Sequence, residues 1–218
     1  MQQLEYLVPG NYYHIYNRGI NSCNLFTEPD NYEYFLSLYD KYISSIADTY
    51  AWVLMPNHFH FLVRLKDEME VATTIPDRFP KPVRCDEATG CENLPGVEVE
   101  VKPPHQHFSN LFNAYTKAFN KRNDRHGSLF ERPFKRKIIE NEWYLKQVIL
   151  YIHNNPVHHG FCSHPVEYPW SSYLTCISVK PTKLYREQVM GWFDSQANFK
   201  YMHEQKVQVE QIERWLDI

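Results

Sequence analysis

No stretch of this chain approaches the roughly 18 consecutive apolar residues of a membrane-spanning helix, so membrane insertion is not expected. The start, Met1-Gln-Gln-Leu-Glu-Tyr6, lacks a basic segment followed by an apolar one, which argues against Sec-type secretion. Paired cysteines are missing too. The five present are odd in number, scattered and without C-x-x-C spacing, which points to reduced thiols and a cytoplasmic protein. Cys85 and Cys91 fall in an expected loop and form at best a weak zinc pair. Nor is there a large excess of one charge, the formal net charge being −3. What is present is 43% apolar and 16% aromatic residues in a chain of 218. That composition fits one large globular domain, or one domain with appendages, and excludes a disordered chain.

The small net charge hides a local asymmetry. Residues 115–137 carry eight Lys/Arg against Asp124 and Glu131, a balance of +6, whereas residues 66–100 carry four basic residues against nine acidic, a balance of −5. The basic block is interleaved with Tyr115, Phe119, Phe130 and Phe134, a mixture that suits phosphates and stacked bases as well as plain solvated surface.

Tyr12-Tyr-His-Ile-Tyr-Asn17 reads as a first strand, ended by Arg18-Gly19. Asp30 can cap a following helix, because Tyr34, Phe35, Leu38, Tyr42 and Ile46 recur at helical spacing. Tyr50–Met55 and His58–Leu65 form a hairpin about Pro56-Asn57. From Lys66 to about His107 the chain is acidic and proline-rich, with no apolar period, and reads as an inserted loop. Phe108, Leu111, Phe112, Tyr115 and Phe119 trace one side of a helix reaching Arg122. Phe134–Glu140 alternates as a fourth strand would, and Asn141–His153 is helical again. The order strand-helix-strand-strand-helix-strand predicts an α+β ferredoxin-like sandwich, an antiparallel four-to-five-stranded sheet with helices on one face and the other open to a ligand. Residues 10–175 form this domain, interrupted at about 66–107, and 176–218 form a C-terminal helical extension in which Leu184–Phe193 and Val207–Leu216 are amphipathic.

Within Met55-Pro-Asn-His-Phe-His-Phe-Leu-Val63, strand alternation places His58 and His60 on one face and Phe59, Phe61 and Val63 on the other. Two imidazoles amid an apolar strand cost free energy unless something binds them. A divalent metal and a hydrogen-bonded pair on a wet sheet face are both open. Tyr115 is the reactive group expected near them. It lies mid-helix beside Lys117, Lys121 and Arg122, whose charges would favour the phenolate, although it also shares an i, i+4 stripe with Leu111 and Phe119. Arg18, Arg132, Lys135 and Arg136 are further candidate phosphate contacts. Pro56 and Asn57 read as turn-shaping, His153-Asn154-Asn155-Pro156 as a helix end before proline, and Trp170 and Tyr173 as anchors for the C-terminal segment.

Four segments carry a family resemblance: Tyr13-His-Ile-Tyr-Asn-Arg-Gly19; Trp52–Val63; Tyr115-x-x-x-Phe119-Asn120 with His126-Gly-Ser-Leu-Phe-Glu-Arg132; and Tyr151-Ile-His-Asn-Asn-Pro156 continuing to Tyr168-Pro-Trp-Ser-Ser-Tyr173. Over about residues 10–175, the insert excluded, the chain resembles the single-tyrosine HUH transposases of the insertion-sequence-200 type, in particular the REP-associated tyrosine transposases. The resemblance implies that His58 and His60 bind Mg²⁺ or Mn²⁺ and that Tyr115 cleaves single-stranded DNA near a folded hairpin, leaving a 5′-phosphotyrosine. Members of this family often take a third ligand from an amide one helical turn after the tyrosine. Here position 119 is Phe, and Asn120 lies about 140° round the helix from Tyr115. Water, Asn120 and another residue all remain open as the third ligand.

The implied function is a transposase-like DNA strand transferase with hairpin-bearing single-stranded DNA as partner. The alternatives are a hairpin-binding protein that has lost transposition and a metal-dependent phosphoesterase using water. A homodimer, with Tyr115 acting in cis or in trans, is compatible with the sequence.

Overall fold

A computed structural model of the protein describes residues 5–67, 102–205 and 209–216. Most of the expected insert, residues 68–101 with Cys85 and Cys91, lies outside the described residues. The chain runs β1 (Tyr12–Arg18), α1 (Pro29–Ile43), β2 (Ala47–Met55), β3 (His58–Leu65), α2 (Pro104–Arg122), β4 (Lys135–Ile139), α3 (Glu142–His158), α4 (Tyr173–Ile177), α5 (Arg186–Trp192), α6 (Gln196–Glu204) and α7 (Val209–Leu216). The four strands are antiparallel in the order β2-β3-β1-β4, the arrangement a ferredoxin-like sandwich requires.

Local chemistry explains most element ends. Pro29 occupies the first turn of α1, where a missing N–H costs nothing. Asp30 lies in that first turn and not at the N-cap, which is Glu28, so its charge acts on the helix dipole instead of capping. Asn141 caps α3 by accepting from the Tyr144 N–H at 3.0 Å. Gly19 has an ordinary φ but no room for a side chain, since an added Cβ would meet the Cys23 carbonyl oxygen at 2.0 Å. Its N–H donates to Asn57 O at 2.8 Å and ties the end of β1 to the β2–β3 turn.

The pleat divides the sheet into two faces. Tyr13, Ile15, Leu54, Phe59, Phe61, Val63 and Leu65 pack with Phe35 and Leu38 of α1 and Phe108, Leu111 and Phe112 of α2. Ala51, Val53, Met55 and Leu62 pack on the other side with Val148, Ile149 and Ile152 of α3 and with residues of α5 to α7. That second face, open in the sequence reading, is therefore covered by α3 and the C-terminal helices. The β2 edge is closed as well, by Leu54 N to Trp170 O at 2.9 Å, Ser172 N to Trp52 O at 2.9 Å and Tyr185 N to Thr49 O at 2.9 Å. Trp170 stacks on Tyr32 at 4.4 Å and Tyr173 is 2% exposed, so both anchor the C-terminal segment, as expected.

A buried histidine chain locks α6 onto α3. His203 Nδ1 must donate to Phe199 O at 2.7 Å, because a carbonyl only accepts. His203 Nε2 then accepts from His153 Nδ1 at 2.9 Å, and His153 Nε2 is left as acceptor for the Ser172 hydroxyl at 2.8 Å. Burial pushes His203 down to about 4 and His153 well below its usual value, so both are neutral in the folded protein. In the unfolded chain they titrate near the ordinary value of about 6.5. The unfolded state thus binds more protons between these limits, and stability that is full above pH ~6.5 is lost as the pH falls toward about 4. Each such imidazole adds about 1.4 kcal/mol per pH unit to that loss. Thermal melts should show Tm falling through this window, and falling less steeply in His203→Gln. A Tm flat over the window would disprove the buried neutral pair.

Candidate active site between the central strand and the third helix

His58 and His60 project from β3 on the α3 side of the sheet, as strand alternation predicts. Register sets Tyr16 and Val53 beside His60 and Arg18 beside His58. Their rings lie edge to face with centroids 5.2 Å apart. His58 Nδ1 lies 2.7 Å from Asn57 Oδ1, and His60 Nδ1 lies 3.0 Å from Nε2 of His14, whose ring stacks on it at 5.0 Å. Asn57 and His14 are therefore the groups that orient the two rings. Of the two tautomeric arrangements this contact allows, donation from His60 to His14 is the one that leaves the His60 Nε2 lone pair free, and it puts the His14 proton on Nδ1, which is buried without a partner among the described residues.

All three imidazoles are held neutral. Burial takes His14 to about 3 and His58 to about 4, and it lowers His60 strongly, with His14, His58 and His159 adding smaller effects. Neutral imidazole is the form a metal requires. Neutral His58 has one N–H for two facing amide oxygens, Asn57 Oδ1 and Asn155 Oδ1 at 2.9 Å, so whichever nitrogen carries the proton the other turns a bare lone pair to an oxygen, while Asn155 Nδ2 is buried with no partner among the described residues. Two acceptors facing each other repel unless a cation lies against both. An octahedral ion with ligands at about 2.1 Å holds adjacent donors about 3 Å apart, so the spacing fits one. No group of three or more His, Cys, Asp and Glu able to hold a metal occurs among the described residues; the further polar group facing His58 is the Asn155 amide.

Two tyrosines lie at this site: Tyr16 of β1, whose ring is 5.8 Å from His60 and stacks on His14 at 4.8 Å, and Tyr151 of α3. Tyr151 lies one helical turn before Asn155, with its ring 5.3 Å from His60 and 6.1 Å from His14. It is 2% exposed, and burial raises its phenol pKa, aided by Glu213 and Tyr16 and opposed by the nearby Asn155 side chain. The cover is α7: Leu216 O accepts from Tyr16 Oη at 3.2 Å, and Trp215 stacks on Tyr144 at 4.1 Å with the Lys137 ammonium 5.9 Å above it.

Tyr115 is not brought to the histidines. Its helix packs on the opposite sheet face, where the ring is buried among Phe26, Phe35, Phe119 and Phe130. Its hydroxyl donates to Leu25 O at 2.6 Å. Burial raises its pKa, and Tyr32 and Glu28 raise it further, the reverse of the effect expected from Lys117, Lys121 and Arg122. Arg122 instead pairs with Glu28 at 2.7 Å and Asp30 at 3.4 Å. Asn120 is committed to the turn after α2, donating to Gly127 O at 2.9 Å and accepting from Arg125 at 3.1 Å, and so lies away from the histidines.

Among the other basic candidates, Arg18 is exposed beside His58 and pairs with Glu131 at 3.3 Å. Lys135 is cross-strand from Tyr16 and shares the histidine face, whereas Arg136, cross-strand from Ile15, faces the α2 side. Arg132 is exposed at the rim next to Asn113. Lys117 and Lys121 are exposed on α2, on the far side from the histidines. The helix expected to stop before Pro156 continues to His158, because proline near a helix end removes a single hydrogen bond. Asn155 is therefore a helix-interior side chain aimed at His58. Tyr151 is hard to single out among 16 tyrosines, yet the Tyr151/Asn155 spacing was the available signal.

Neither a protein-family model nor a curated protein matches this chain. A solved structure of a REP-associated tyrosine transposase bound to a REP hairpin shares the fold, with a TM-score of 0.57 at 15% identity, covering 83% of this chain and 88% of that one.

Tyr115→Phe should cost about 1–2 kcal/mol in urea unfolding, because it leaves the Leu25 carbonyl without its buried donor. A cost near zero would mean that this hydrogen bond contributes nothing.

Proposed function

We propose that this protein is a DNA strand transferase that binds hairpin-bearing single-stranded DNA and cuts and rejoins it through Tyr151. The observation that supports this most is the meeting of His58 and His60 from β3 with Tyr151 and Asn155 from α3 around one point. The shared fold with a hairpin-bound tyrosine transposase supports DNA as the substrate. His58, His60 and Asn155 would hold Mg²⁺ or Mn²⁺. Such an ion, when bound, supplies Lewis-acid polarisation of the phosphate. The ligands are all neutral, so they leave the ion's charge available to an anionic substrate.

Tyr151 Oη attacks the phosphorus, the bond from phosphorus to the 3′ oxygen breaks, and the phenol's proton is lost as the departing oxygen gains one. A 5′-phosphotyrosine and a free 3′-hydroxyl remain, and a hydroxyl can reverse the step to rejoin a strand. Arg18 and Lys135 lie on the same face and are suited to neighbouring phosphates. Tyr151 is buried under α7, so that helix must leave the face before DNA enters. The same burial favours the second reading, a hairpin-binding protein that no longer cuts.

The test is incubation of end-labelled hairpin-bearing single strands with Mn²⁺, followed by a denaturing gel. A covalent protein–DNA adduct is expected from the wild type and Tyr115→Phe, with loss of at least ~10²-fold in Tyr151→Phe and His58→Ala. Cleavage that survives Tyr151→Phe indicates a water-using phosphoesterase, and binding without cleavage indicates the binding protein. Separately, His14→Phe keeps an aromatic ring but leaves His60 Nδ1 without its His14 partner. Calorimetric titration should show Mn²⁺ affinity reduced about 10–100-fold with the fold retained. An unchanged affinity would remove His14 from the site.

A further inference from the structure

A second polar crevice, of about 490 Å³, opens on the α2 side of the sheet between the first half of α2 and the Leu129–Arg136 segment. Phe112 and Phe134, both buried in the core, form its floor, and the half-buried Arg136 guanidinium sits 4.9 Å over Phe134, so the planar surface turned to the crevice is the guanidinium. Arg136 Nε is buried with no hydrogen-bond partner among the described residues. At the rim, Arg132 reaches Asn113 Oδ1 at only 3.4 Å, a loose contact that a stronger acceptor would displace. The carboxylate in the lining, Glu131, is paired with Arg18 at 3.3 Å, so it offsets little of the arginines' charge.

We infer that this crevice is a subsite for one unpaired nucleotide of the bound strand, its base lying on the Arg136 guanidinium that Phe134 backs and its phosphate on Arg132. The inference rests on the DNA reading above and extends it to residues on the opposite face from the histidines. A planar guanidinium stacks on any base, and guanidinium donors suit a phosphate. The position fits too. β4 is an edge strand with Arg136 on the crevice side and Lys135 on the histidine side. A single strand wrapping that edge would pass from the crevice to Lys135 and Arg18 with basic contacts on both faces. An acidic peptide would use the arginines but leave the stacking plane unexplained.

Fluorescence anisotropy can compare a blunt DNA hairpin with the same hairpin carrying an oligothymidine extension. The extension should tighten wild-type binding about tenfold, within the range of one stacked base, and this ratio should fall to about one in Arg136→Met and Arg132→Gln. Arg132 is exposed, so its variant keeps the comparison valid if Arg136→Met fails to fold. Photocross-linking with 5-iodouracil in the extension should map to the Arg132–Arg136 segment. An extension that adds nothing to wild-type binding, an equal ratio in the variants, or cross-links that map elsewhere would overturn the subsite while leaving the DNA reading intact. Failure of the wild type to bind either probe would overturn the DNA reading, and the subsite with it.

Discussion

Everything at this site depends on the two-residue pleat of β3. The alternation that sends Phe59, Phe61 and Val63 into the α1/α2 core sends His58 and His60 to the other side. Since β3 is a central strand, neither set can change sides without moving every side chain in the strand. The sheet therefore acts as a partition. A residue on α2 cannot reach the histidines however its own helix is patterned, and a residue on α3 faces them directly. Tyr115 and Tyr151 are both buried tyrosines in aromatic surroundings, and the side of this partition is what separates their roles.

Burial makes the histidines neutral at two places in the molecule, with different results. In the chain from Phe199 through His203 and His153 to Ser172, every ring nitrogen has a complementary partner, so the group is closed and structural. At His58 the count does not close: two amide oxygens face a ring with one N–H, while the Asn155 amide nitrogen has no partner among the described residues. Depressed basicity alone would not tell these clusters apart. The balance of donors and acceptors does, because leaving a buried polar atom unmatched costs free energy unless a ligand supplies the match.

The C-terminal helices add a constraint that the sandwich does not need for its own core. α7 places Leu216, Trp215 and Glu213 over Tyr16, Tyr144 and Tyr151, so the histidine face of the sheet and the docking face of α7 are one surface. Stability gained by burying that face and access for a DNA strand therefore oppose each other. Basic residues are spread over both sides of the β4 edge, which suits a strand wrapped around the edge better than one lying flat on either face.

Much of this was legible in the order of residues alone. The strand-helix-strand-strand-helix-strand order, the hairpin at Pro56-Asn57 and the common face of His58 and His60 all follow from periods of two and 3.6 and from turn chemistry, which are local properties of the chain. Local patterns also contained Tyr151 and Asn155 at one-turn spacing, but helical periodicity says only that two residues share a side of their own helix. It does not say which side of a sheet that helix covers. Tertiary packing decided that, by seating α2 against the phenylalanines of β3 and α3 against its histidines. The same packing decided His14, whose hydrogen bond to His60 joins residues 46 positions apart, and the cover over Tyr151, because contacts between distant segments leave no period in the sequence.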